Sequence, residues 1–232
     1  MRVYHYLEAN WALDDIRRRR LKLSKIDDMN DPYEWKCVCS DDGPSQLALE
    51  KTEREAVEIH GVSCFSRSWN NILMWSHYGE RHKGICLGFD VPDELTGEVR
   101  YVGNLLIVGN LSDSSTEERK KIIDRLCGAK YIGWCYEEEV RVHASRVEVD
   151  VETGKFFVKF SENLKLREVI AGARFPLSKR PIEDALEGYS EDVKIVKAGR
   201  STARFEIIMD ENGFDHEIAS ARIDVTRNPR AT

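Results

Sequence analysis

The stretch WCYEEEVRV, residues 134–142, sets three consecutive glutamates among residues that otherwise favour a β-strand. Acidic side chains are depleted in strands because they pack poorly on a half-buried pleated surface. Read as a strand, 134–142 alternates with period two, and side chains two apart share a face at roughly 6–7 Å. Trp134, Tyr136, Glu138, Val140 and Val142 then form a mostly apolar face, and Cys135, Glu137, Glu139, Arg141 and His143 an ionisable one. That ionisable face has two readings. Either it is solvated, with Arg141 serving the glutamates as a salt ladder, or Glu137 and Glu139 are a carboxylate pair lining a cleft.

Working outward, the remaining patterns describe a chain in which strands outnumber helices. VYHYL (3–7) alternates as a strand and puts Val3, His5 and Leu7 on one face. Asn10 is a candidate cap for a helix reaching about Arg20, and LKLS follows as a short strand. In DDMNDPYE (27–34), Asp and Asn bond back to their own backbone and Pro32 forbids helix at Asp31, so a turn is expected. A polar helix is expected from Ser45 to His60, a strand at GVSCFS (61–66), and a helix in WNNILMWSHYGERHKG closed by Gly84. GICLGFDV reads as a buried strand, and 114–127 as a helix opened by a Ser115/Glu118 capping box, with Ile122, Ile123 and Leu126 apolar. Further strands are expected in RVEVDV, KFFVKF, NLKLREVIAG, VKIVKA and RFEIIM, with a helix near 181–188. No internal repeat or long linker interrupts this order. One α+β domain over 1–225 with a loose tail at 226–232 is expected.

Bulk composition narrows the function classes. A chain of 232 residues with 41% hydrophobic and 33% charged residues can bury a core without staples. Its net charge of −6 argues against a wholly basic nucleic-acid surface. No apolar run approaches the about 20 residues of a membrane helix, and RVYHYL is no secretory leader. Six scattered cysteines lack paired Cys-x-x-Cys knuckles, so reduced thiols and a cytoplasmic location are expected, without zinc. His77 and His82, five apart, do not share a helical face, and no metal site is expected.

Chemistry is sought where polar groups stand in apolar elements. His5 is the ionisable residue of the first strand, Ser66 ends a buried strand, and Tyr78 lies one turn after Met74. With the late Glu-x-Glu, these form an ordered series that resembles the His-Tyr-Glu triad of ADP-ribosyltransferases of the diphtheria-toxin and poly(ADP-ribose) polymerase type. The resemblance implies a split β-sandwich with peripheral helices, binding NAD as substrate. It implies that His5 holds the adenosine ribose, that Tyr78 stacks on nicotinamide beside the Phe65-Ser66 pair, and that Glu139 bonds the nicotinamide ribose. By the same resemblance Glu137 lies near the acceptor.

A second resemblance covers the chain to about residue 208. YHY, MNDPYE, CFS, MWSHYGERHKGICLGFD, VRYV, WCYEEEVRV and LREVIAG are similar to the pattern of a widespread bacterial family designated domain of unknown function 2971. That family is sometimes found near phage-defence genes, which implies a toxin-like or defence effector with a possible neutralising partner.

The residue types suit the chemistry. Breaking the nicotinamide–ribose bond passes through an oxocarbenium-like cation, which a nearby carboxylate stabilises most strongly away from water. Nicotinamide leaves from a cationic state and needs an aromatic wall rather than a general acid. Arg141 is a candidate to keep both glutamates ionised, to orient Glu139, or to meet a diphosphate. Asn30 and Asp31 are expected at the edge of the pocket. Two other classes stay open: a non-catalytic module sensing a nucleotide or phage component, and a nucleic-acid-directed transferase using Arg17 to Arg20 with Lys120 and Lys121.

Overall fold

The computed structural model describes residues 1–24, 29–34, 36–59, 62–109, 115, 118, 121, 128–143, 148–151, 154–210 and 212–215, with backbone alone for 52–59, 62 and 143. The tail 226–232 and most of the expected helix 114–127, including Lys120, Ile122, Ile123 and Leu126, lie outside these residues. Its capping box is present: the Ser115 N–H and hydroxyl reach Glu118 Oε2 at 2.8 and 2.9 Å, and the Glu118 N–H reaches Ser115 Oγ at 3.3 Å.

In chain order the elements begin with β1 (Arg2–Leu7), α1 (Ala9–Arg18), β2 (Arg20–Lys22), β3 (Val38–Ser40), α2 (Gly43–Ile59) and β4 (Val62–Ser66). There follow α3 (Ile72–His77), β5 (Ile85–Asp90), β6 (Thr96–Glu98), β7 (Arg100–Val102) and β8 (Leu106–Val108). The remainder is β9 (Ala129–Tyr131), β10 (Glu139–His143), β11 (Glu148–Val149), β12 (Phe156–Lys159), β13 (Lys165–Ala171), α4 (Arg180–Ala185), β14 (Lys194–Arg200) and β15 (Ile207–Asp210). The chain is mixed α+β, as its patterns predict. It divides into two compact units, each built from separate stretches.

The first unit comprises Leu21–Arg67 and Val91–Lys159. Within it β10 lies between β4 and β6 and is antiparallel to both. Parallel pairs β3–β8 and β7–β9 flank this layer in sequence. Leu49 of α2 is buried against Val38 and Val108. A side-chain cap starts that helix early, since the Ser45 N–H donates to Asp42 Oδ2 at 3.0 Å.

The second unit comprises Arg2–Arg20, Ser68–Asp90 and the chain from Phe160 on. Its strands run β15-β14-β13-β5-β1, with β13–β14 parallel and the other pairs antiparallel. β5 is the buried strand that GICLGFDV predicts, with Ile85, Cys86, Leu87 and Phe89 fully covered. Helix α1 buries Ala9, Ala12, Leu13 and Ile16, one stripe at helical spacing. It starts at Ala9 rather than at an Asn10 cap, because Glu80 Oε2 accepts the Ala9 N–H at 3.2 Å. A tertiary carboxylate replaces the local cap.

Two expected elements are shorter than their patterns. The helix through MWSHYGERHKG stops at His77, because Glu80, Arg81 and His82 all have left-handed backbone, φ 51°, 55° and 70°. Gly84 is therefore no helix cap. A Cβ there would come within 2.1 Å of the Leu7 carbonyl oxygen, so the strand approach demands glycine.

The stretch 134–142 is not one strand. Ile132–Glu137 forms a 3-10 helix, Glu138 is left-handed at φ 45° and ψ 47°, and the strand begins only at Glu139. The predicted alternation holds from Glu139 onward, and fails before it.

Candidate functional site: a buried charge centre

The turn at 29–34 begins the site. The Tyr33 N–H donates to Asp31 Oδ1 at 2.9 Å and the Glu34 N–H to the Asp31 carbonyl at 3.0 Å, the side-chain and backbone turn that Asn-Asp-Pro predicts. The turn leaves Asn30 exposed and directs Asp31 and Glu34 inward, where they are 5% and 4% exposed. Asp31 Oδ2 is buried and finds no hydrogen-bond partner among the described residues.

Strand β10 supplies the next charges. Glu139 is paired across the sheet with Ser66, and Arg141 with Cys64. Val140 and Val142 occupy the opposite face and are buried as well. The ionisable face is thus not solvated: Glu139 is 5% and Arg141 2% exposed. This overturns the solvated form of the salt-ladder reading, while Arg141 does serve the glutamate, its Nε lying 2.8 Å from Glu139 Oε1.

Glu137 does not reach the centre by strand alternation. The 3-10 turn and left-handed Glu138 carry it there, and both Glu137 Oε2 and Glu139 Oε2 meet the Lys130 ammonium, at 2.5 and 2.8 Å. Lys130 also lies 3.4 Å from Glu34 Oε2, and Arg141 bonds Glu34 Oε1. Three carboxylates and two cations thus interlock in the first unit. The Glu139 N–H donates to the Tyr101 hydroxyl at 2.8 Å, and the Trp134 ring lies 5.6 Å from Lys130 Nζ.

The electrostatics follow from this packing. Burial pushes the Glu139 carboxyl up, but Arg141 and Lys130 outweigh it and hold the group at about 2. For Glu34, burial prevails over Arg141 and Lys130, and its pKa is raised. Burial lowers the pKa of Lys130, yet Glu139, Glu34 and Glu137 together drive it up and keep the ammonium charged. Burial raises the thiol pKa of Cys37 to about 11, with Glu34 and Asp31 adding to the rise.

The other predicted residues have these places. Ser66 ends β4, 1% exposed. His5 and Tyr78 belong to the second unit. His5 is half-buried on β1, paired with Leu87. Tyr78 is half-buried and caps the C-terminus of α3, so it follows that helix rather than standing on it, and its N–H donates to the Met74 carbonyl at 2.9 Å.

Trp75 is core: it is fully buried and stacks edge-on against Tyr6 at 5.1 Å. Three of the four arginines at 17–20 are occupied within the second unit. Arg18 and Arg20 pair with Asp14 at 3.0 and 3.8 Å, and Arg19 lies 4.6 Å over the Tyr189 ring.

Sequence reading missed Lys130 and Glu34. The signal for Glu34 was present, since it closes the turn sequence; Lys130 sits in an unremarkable AKY strand and carried none. No three-residue metal-ligand cluster occurs among the described residues, and no helix there is long and apolar enough to cross a membrane. The chain matches no family model, and no curated protein or solved structure is significantly similar to it.

Proposed function

We propose that the protein is an NAD-dependent ADP-ribosyltransferase, or an NAD glycohydrolase, with Glu139 as its essential carboxylate. One observation carries this reading: a buried Glu139 held ionised by Arg141 and Lys130. The reaction asks for a carboxylate that stays charged where water is scarce, because its field then acts on the developing ribosyl cation with little screening. In the step itself, the bond between ribose C1′ and the pyridinium nitrogen breaks and its electron pair leaves on neutral nicotinamide. An acceptor group or water then bonds C1′ and gives up a proton. Ser66, paired with Glu139 across β4 and β10, is the second polar group at this strand end. Roles for His5 and Tyr78 on NAD, the split β-sandwich architecture and membership of bacterial family 2971 rest on the resemblances in sequence. So do a macromolecular acceptor, a defence setting and a neutralising partner.

A second reading is favoured by the saturation of Glu139: Oε1 is taken by Arg141 and Oε2 by Lys130. In that reading the centre is a structural ion cluster in a binding module without turnover. Incubating the purified chain with NAD labelled in nicotinamide and in adenine separates the readings. Released nicotinamide with adenine label on a macromolecule means transfer, and release with free ADP-ribose means hydrolysis. If wild-type protein neither releases nicotinamide nor transfers the adenine label, the enzymatic reading ends, whether or not NAD binds.

A further inference from the structure

Lys130 is 5% exposed, and lysine is almost never buried to that degree unless its charge is matched. An ammonium has three N–H donors and accepts nothing. Two of them have carboxylate acceptors here, Glu137 at 2.5 Å and Glu139 at 2.8 Å, and Glu34 stands 3.4 Å away. The lysine lies at one end of the segment whose other end is Glu139. Between them run the 3-10 helix and the left-handed Glu138, so the ammonium closes that segment on itself. Strand β7 braces the same closure. Tyr101 is the register partner of Lys130, and its hydroxyl accepts the Glu139 N–H at 2.8 Å.

We propose that Lys130 is the positioning residue of the charge centre, fixing Glu137 and Glu139 side by side so that Glu139 is presented ionised and in one orientation. The catalytic consequence rests on the reading of Glu139 given above, but the positioning itself does not. Without the lysine, three buried carboxylates share the single cation of Arg141, and like charges at close range favour protonation. The groups facing Glu139 are then Arg141 on its own strand, Glu137 on the 3-10 helix, Glu34 from the turn, Cys64 from β4 and Tyr101 from β7.

The test compares Lys130→Met and Lys130→Arg in the full chain labelled with carbon-13 at glutamate carboxyls, with Glu139→Gln and Glu137→Gln assigning the signals. In Lys130→Met the Glu139 titration midpoint should rise by about 1 pH unit or more, and in Lys130→Arg it should stay low. If Lys130→Met does not fold, Lys130→Gln keeps donors without charge and should show the same rise. With NAD, loss of the lysine charge should lower kcat by about 100-fold or more with KM changed less than about twofold, and Lys130→Arg should recover most of it. An unmoved Glu139 midpoint in both neutral variants overturns the proposal. Should wild-type protein leave NAD intact, the enzymatic reading fails while the titration still decides the role of Lys130. Should NAD turn over equally in wild type and the neutral variants, the positioning role fails and the enzyme stands.

Discussion

Arg141 Nε lies 2.8 Å from Glu139 Oε1, two residues apart on one face of β10, and neither side chain is more than 5% exposed. A charge pair of this kind contributes less than its Coulomb energy suggests, since both ions gave up water to form it. Removing one partner is the costly change. Arg141→Met leaves Glu139 and Glu34 with Lys130 as their shared cation, and should destabilise the protein by about 3–5 kcal/mol in urea titration at pH 7. Arg141→Lys should recover only part, because the guanidinium meets Glu139 and Glu34 through separate nitrogens of a rigid fork, a geometry that a single ammonium does not reproduce.

On the transferase reading proposed above, the two glutamates of the pair separate by chemistry. Glu139→Gln keeps size but removes the charge that a ribosyl cation would feel, and leaves one acceptor oxygen where Arg141 and Lys130 now meet two, so transfer and NAD hydrolysis should both fall about 100- to 1000-fold with little loss of NAD affinity. Glu137→Gln should reduce transfer to the acceptor and spare hydrolysis. Equal and mild effects of both changes on a measured wild-type activity would assign the acidic pair to structure alone.

Acid stability carries the same signature. Glu139 is held at about 2, against about 4.3 for an unfolded glutamate. Its contribution is therefore fully present above pH about 4.3 and is lost as pH falls through about 2, on the order of 3 kcal/mol in all. Glu34 is shifted up by burial, so its contribution has the opposite sign: present below its unfolded value and lost as pH rises through the folded one. Urea midpoints between pH 2 and 8 should show a flattened acid limb for Glu139→Gln. For Glu34→Gln, the decline of stability above pH about 4 should shrink.

Asp31 shapes the turn that carries Glu34 to the centre. Asp31→Ala removes the oxygen that accepts the Tyr33 N–H, and with it a buried carboxylate oxygen that has no hydrogen-bond partner among the described residues. The expected loss of stability is about 1 kcal/mol, since one cost and one relief offset. On the proposed NAD reading, NAD affinity should fall more than the melting temperature does, by isothermal titration against differential scanning calorimetry. A drop in melting temperature with unchanged affinity would mean that the turn only shapes the fold.

Glu138 is exposed and left-handed, a conformation that costs a side-chain-bearing residue about 1–2 kcal/mol. Glu138→Gly relieves that cost against the added freedom of the unfolded glycine, and should raise stability by about 1 kcal/mol. Glu138→Val should lower it, because a β-branched side chain tolerates positive φ poorly. Denaturant midpoints of the two variants check the sign.

Much of this protein is legible in its residues without any fold. Period-two alternation places β1 and β12, an unbroken apolar run marks the buried β5, and Asn-Asp-Pro specifies the turn that ends in Glu34. These features are local, and backbone geometry alone translates them into direction. The face shared by Glu139 and Arg141 is of the same kind, since two residues in a strand always point together. What covers that face is not local. Lys130 reaches Glu139 from another strand and Glu34 reaches Arg141 from a turn, and neither AKY nor the turn sequence says which distant charge its residue will meet. Element ends were equally hidden, because a Glu80 carboxylate starts α1 and a left-handed run after Tyr78 stops α3. The sequence by itself determined which side chains share a face. Only the tertiary structure decided that this face is buried, because burial depends on which distant segment packs over it, and the charges of that segment then fix whether a carboxylate there stays ionised.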